Sequence, residues 1–155
     1  MTYLLDTNVL SELRRRTADA AVVAWVREHE GAGLLISAMT VFEIELGIRS
    51  VERRDEAQGA VLRRWLSTQV LPQFADRIVP VDAAVAGAAV ALMVPDRRPF
   101  SDCLIAATAL VRGVPVVTRN VDDFVGVPGL AVIDPVGRAR GVQVDTDVVE
   151  HDRVA

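Results

Sequence analysis

Five short apolar runs, separated by stretches with helical spacing, constrain the fold of this chain more than any other feature. They are "YLLD" at 3–6, "GLLIS" at 33–37, "RIVPV" at 77–81, "VPVVTRN" at 114–120 and "LAVIDP" at 130–135. "NVLSELRRR" opens a helix after the first run, and residues 18–30 place Ala21, Val22, Trp25 and Val26 on one helical face. Ser37 is the expected N-cap of a helix through "TVFEIELGIRS". A further amphipathic helix is predicted over 52–70, ended by Leu71-Pro72. Asp82 should cap an alanine-rich helix, and "PFSDCLIAATALVRG" should be helical between Pro99 and Gly113. Strands joined through helices need crossover connections, which gives a parallel sheet with helices on both faces. In such open sheets, ligands bind beyond the C-terminal ends of the strands.

The first run stops on an acid, and that raises the functional question. A carboxylate at the end of a core strand loses several kcal/mol of hydration unless something compensates it. Asp6 therefore needs either a structural partner or a cation. Asp102 is a second unusual acid, at the start of a helix whose following residues, from Cys103 to Leu110, are nearly all apolar. Taken alone it reads as an acid favoured by the helix dipole. In the helix after the second run, Glu43 and Glu45 compete, since residues two apart point nearly opposite ways. Asp122 and Asp123 follow the fourth run in the same ambiguous manner.

Together these acids fall at one strand end, at helix starts or faces, and in one loop after a strand. They can meet at a single edge of the sheet, where mutual repulsion would destabilise them without a cation. Oxygen-only ligands with no neighbouring His or Cys suit Mg²⁺ or Mn²⁺. Metal-assisted hydrolysis of a phosphodiester is the chemistry such a site performs.

Composition removes the competing readings. All 17 basic residues are arginine, so a P-loop lacks its lysine, and receiver or haloacid-dehalogenase-like domains are weakened likewise. The net charge of −4 provides no overall basic footprint for nucleic acid, which leaves local arginines such as Arg97/Arg98 or Arg14–Arg16 for that role. The single cysteine, Cys103, excludes an internal disulfide and fits a reducing compartment; it is expected in the core. Trp25 and Trp65 are expected in the core or at a dimer contact. The longest uncharged stretch, 83–94, is too short to span a bilayer, and no basic-then-apolar leader is evident, so a cytoplasmic protein without membrane contact is expected. Residues 1–137 are expected to form one domain and 138–155 an acidic, loosely ordered tail.

The blocks "LLDTNVLSEL", "ISAMTVFEIELGI", "SDCLIAATAL" and "VVTRNVDDF" stand in the order and spacing of the PIN-domain nucleases. The chain resembles that family over nearly its whole length to about Pro135, and most closely its VapC-type toxins. The resemblance implies a PIN-like three-layer α/β/α sandwich with a central, mainly parallel twisted sheet. It also implies four catalytic, metal-holding acids: Asp6, Glu43 rather than Glu45, Asp102, and Asp123 rather than Asp122. Asn8, Thr118 and Asn120 match polar positions around them. By the same resemblance the chain is a Mg²⁺-dependent (or Mn²⁺-dependent) endoribonuclease that cuts cellular RNA, forms a homodimer and is inhibited by a VapB-type antitoxin. The alternative is an inactive module that binds such a partner and regulates transcription through the complex.

Overall fold

A computed structural model of the chain describes residues 1–137. The expected acidic tail at 138–155 lies outside the described residues. The five apolar runs form β1 (Tyr3–Leu5), β2 (Leu34–Ser37), β3 (Ile78–Val79), β4 (Val116–Val117) and β5 (Val132–Ile133). They pair in the order β3-β2-β1-β4-β5, and every pairing is parallel. The helices are α1 (Thr7–Arg14), α2 (Ala20–His29), α3 (Ala38–Glu52), α4 (Glu56–Trp65), α5 (Leu71–Gln73), α6 (Ala83–Met93) and α7 (Phe100–Arg112).

Alternation along the strands builds two cores, because successive side chains leave opposite faces of a sheet. Tyr3 and Leu5, with Leu34, Ile36 and Val117, pack under Val9 and Leu10 of α1, Val22 and Val26 of α2, and Ile44 and Ile48 of α3. Leu4, Val79 and Val116 face the other way, onto Val85 and Ala89 of α6 and the apolar side of α7. The result is the expected three-layer α/β/α arrangement. Trp25 and Trp65 pack against the first core, and Cys103 is buried in the second. Among the described residues no helix is long and apolar enough to cross a membrane.

Caps fix where the helices begin. Ser37 accepts from the Met39 N–H and Asp82 from the Val85 N–H, as their positions in the sequence predict. Gly113 closes α7 in the left-handed region at φ 64°, a conformation that spares it the Cβ clash other residues would meet. The predicted helix over 52–70 is a different object. Its first residue, Glu52, ends α3, and α4 begins only at Glu56, where Asp55 caps it through the Gln58 N–H. It then runs past Pro72 through a π-type turn at Leu66–Val70. Pro72 lies in α5 directly after this π-type turn, and the helical path continues across it to Gln73. Gly59 explains how α3 and α4 approach so closely: a Cβ there would stand 2.8 Å from the Glu52 Cα.

The chain runs outward from β1 through β2 to β3, then returns across the sheet through α6 and α7 to β4 on the other side of β1. The carboxyl ends of β1 and β4 therefore flank the point where the order reverses, the usual ligand crevice of such sheets.

Candidate active site at the sheet's carboxyl edge

Asp6 follows β1 directly and caps α1. Its Oδ1 accepts from the Thr7 N–H at 2.8 Å, and its Oδ2 accepts from Asn8 Nδ2 at 3.1 Å and from Thr118 Oγ1 at 2.8 Å. These donors fill three of the roughly four lone-pair directions of a carboxylate, leaving room for one more ligand. The residue is only 6 % exposed. Burial is the main cause that lifts its pKa to about 6; the Thr118 hydroxyl and the Thr7 N–H oppose the rise, and the charges of Glu43 and Asp102 add to it.

Asn8 and Thr118 do more than line the cleft. The Asn8 amide donates to Asp6 and to Thr118 Oγ1 at 3.1 Å, while its Oδ1 accepts from the Arg119 N–H at 3.2 Å. The Thr118 hydroxyl donates to Asp6 and accepts from the Asn120 N–H at 3.0 Å. The end of β1 and the end of β4 are thereby stitched together by side chains as well as by the ladder.

Thr7 and Arg63 place the two glutamates in different surroundings. Thr7 Oγ1 donates to Glu43 Oε1 at 2.7 Å and lies 3.1 Å from Thr40 Oγ1, so Glu43 leans toward Asp6. Glu45 is turned away, paired with Arg63 of α4 at 3.0 Å, beside the Arg63–Glu52 pair at 2.7 Å. Asp102 stands in the first turn of α7. Its pKa is also pushed up to about 6, by burial first and then by the charges of Asp123 and Glu43. Asp123 ends a single 3₁₀ turn, Val121–Asp123, after β4 and is exposed beside its neighbour Asp122. Asp102 thus occupies the middle of the group, with Glu43 and Asp6 toward β1 and Asp123 toward the β4 loop.

Among the described residues, none of the four acids has a cationic side chain within 4.0 Å. Nor do any three His, Cys, Asp or Glu side chains there form a group that could hold a metal ion alone. The donor chemistry still suits a hard divalent cation. Mg²⁺ keeps several waters and is commonly held by one or two carboxylates beside a phosphate. Acids near enough to repel, with open lone pairs and no cation beside them among the described residues, match that mode of binding.

The sequence gives no signal for the Thr7–Glu43 bond or for the ion pairs around Arg119. Arg119 reaches Glu12 at 3.5 Å and Asp19 at 3.6 Å. Both acids lie a hundred or more positions earlier, and only the β1–β4 pairing brings them near.

An all-parallel sheet with an acid-lined crevice at its reversal point defines the class of α/β domain present here. The PIN domain family model matches residues 3–130, and the chain belongs to that family. A VapC ribonuclease of Sinorhizobium fredii is 33% identical over 137 residues, covering 85% of this chain and 96% of that protein. The toxin FitB of Neisseria gonorrhoeae is 34% identical over 137 residues, with the same coverage of 85% and 96%. The crystal structure of FitAcB from Neisseria gonorrhoeae superposes with a TM-score of 0.74 at 33% identity, over 86% of this chain and 97% of that one.

Proposed function

We propose that the protein is a Mg²⁺-dependent (or Mn²⁺-dependent) endoribonuclease acting as the toxin of a toxin–antitoxin pair. The observation that carries this reading is the collection of Asp6, Glu43, Asp102 and Asp123 at the sheet's reversal point, with no compensating cation among the described residues. Likeness to a VapC ribonuclease and to toxin FitB supports RNA as the substrate and a VapB-type antitoxin as the partner. Homodimerisation and a cytoplasmic location belong to the same reading.

Asp6, Asp102, Asp123 and Glu43 would hold the ion. Bound there, it supplies an activated water and neutralises charge at the scissile phosphate. The chain's own contribution is orientation. Thr118, Asn8 and the Thr7 N–H hold the Asp6 carboxylate in one rotamer, with a lone pair free. The Thr7 hydroxyl does the same for Glu43. Asp102 gains from the α7 N-terminus, whose dipole favours its ionised form. Asn120 keeps the β4 loop closed on Thr118 through its N–H, so that Asp123 faces Asp102.

Cleavage of RNA by the purified protein in Mg²⁺, set against EDTA and against Asp6→Asn, tests the reading. Cleavage should vanish in both controls. Full cleavage in excess EDTA would refute metal dependence, and undiminished cleavage by Asp6→Asn would refute the site.

A further inference from the structure

Arg119 follows Thr118 in the β4 loop, yet its side chain turns away from the acids. Nη1 faces Glu12 Oε1 at 3.5 Å and Nη2 faces Asp19 Oδ2 at 3.6 Å. An isolated exposed ion pair contributes little. This one is not isolated. The Glu12 side chain is only 12 % exposed, and its Oε1 also accepts from the Asp19 N–H at 2.8 Å. Asp19 in turn caps α2 through the Ala21 N–H at 2.9 Å. One guanidinium therefore joins the end of α1, the start of α2 and the β4 loop. The Arg119 N–H meanwhile donates to Asn8 Oδ1, the amide that grips Asp6 and Thr118.

We propose that Arg119 is a positioning residue. By clamping Glu12 and Asp19 it holds the β4 loop, with Thr118 and Asp123, in register with Asp6 on α1. The geometry favours this over contact with a nucleic-acid phosphate, because both terminal nitrogens of the guanidinium already face carboxylates. Glu12 is then as much a part of the clamp as Arg119. The proposal rests on the nuclease reading only for its kinetic consequence; the register it describes exists in the protein without metal or RNA.

The test compares wild type with Arg119→Ala, Arg119→Lys, Glu12→Gln and the Arg119→Ala/Glu12→Gln double variant. Three measurements are made: steady-state RNA cleavage, Mn²⁺ affinity of the RNA-free protein, and amide hydrogen exchange at Arg119 and Asn120. Groups that orient metal-holding residues change affinity or activity by about 10–100-fold when removed. From one step further out, about tenfold is expected. Arg119→Ala and Glu12→Gln should each lower kcat about tenfold with KM little changed, weaken Mn²⁺ binding and speed exchange at both amides. The double variant should be no worse than the worse single one. Arg119→Lys, which cannot span both acids, should fall between. A rise in KM for Arg119→Ala with Glu12→Gln at wild-type values would show that Arg119 meets the RNA, and would overturn the proposal. Unchanged exchange at both amides in Glu12→Gln would overturn it as well. If wild type neither cleaves RNA nor binds Mn²⁺, the nuclease reading fails, and exchange alone decides the clamp.

Discussion

Replacing Thr118 by valine removes one oxygen from a fully buried position and leaves the side-chain shape nearly intact. The hydroxyl donates to Asp6 Oδ2 at 2.8 Å and accepts from Asn8 and from the Asn120 N–H. A hydrogen bond to a charged group contributes about 1.5–3 kcal/mol and a neutral one about 0.5–1.5 kcal/mol. Asn8 keeps its second bond to Asp6, and water can reach the exposed Asn120. A total loss of about 3 kcal/mol is therefore expected at pH 8, where Asp6 is ionised, equivalent to a fall in Tm of about 6–12 °C. The pH dependence is the sharper part. Asp6 is pushed up to about 6 in the folded protein against 3.8 for an ordinary aspartate, so the folded state binds its proton more tightly than the unfolded chain. The stability Asp6 contributes is then fully present below about pH 4 and is lost as pH rises through about 6. Thr118 opposes the raised value, so its removal lifts the folded pKa further, and each unit adds about 1.4 kcal/mol to the loss at high pH. Urea unfolding in EDTA, followed by the fluorescence of Trp25 and Trp65, reads both effects. The valine variant should lose about 1–2 kcal/mol more at pH 8 than at pH 4.5. Equal losses at the two values would mean that the hydroxyl does not stabilise the Asp6 carboxylate, and the account of the site's polar frame would be wrong.

Four further outcomes follow from the structure. In the wild-type protein without metal, the Asp6 shift alone should lower stability by about 2 kcal/mol between pH 4 and pH 7. Millimolar Mg²⁺ at pH 8 should raise Tm, because a ligand of the folded state stabilises it by mass action; no Mg²⁺-dependent rise should remain in Asp6→Asn. Glu43→Gln should abolish cleavage with the fold retained, whereas Glu45→Gln should leave cleavage and lower stability by loosening the Arg63 pair, which circular dichroism melts and a cleavage assay separate. Gly59→Ala should destabilise by about 1–3 kcal/mol despite alanine's better helix propensity, because the new methyl meets the Glu52 backbone; an increase in Tm would show that α3 and α4 can part freely.

The layers and the sheet's parallel character are legible in the sequence because they rest on periodicity, which is a local property. Asp6, Ser37, Asp82 and Gly113 are legible for the same reason, each marking the end of an element with a residue suited to that end. The start of α4 is not. Helical spacing begins by residue 52, but α3 runs on to Glu52 and α4 starts only after Asp55, packing back on α3 at Gly59, a contact between segments. Pro72 misleads at the other end, since the helical path continues across it after a π-type turn. Within the site, the sequence leaves Glu43 against Glu45 open, and resemblance to the PIN-domain family selects Glu43. The structure shows a physical difference between them, Thr7 on one side and Arg63 on the other. Neither partner is visible in the helix that carries the two glutamates.

The strand order also has a consequence in time. A ribosome delivers β1, β2 and β3 first, and these three neighbours can pair while the rest of the chain is still being made. Asp6 and Glu43 are then present, but Asp102, Thr118 and Asp123 arrive late, and they join the earlier acids only when β4 inserts on the far side of β1. An unfinished chain therefore holds half of the acids and none of the β4 lock. On the proposed nuclease reading, a chain truncated before β4 lacks two of the four acids or the β4 lock, and should be inert.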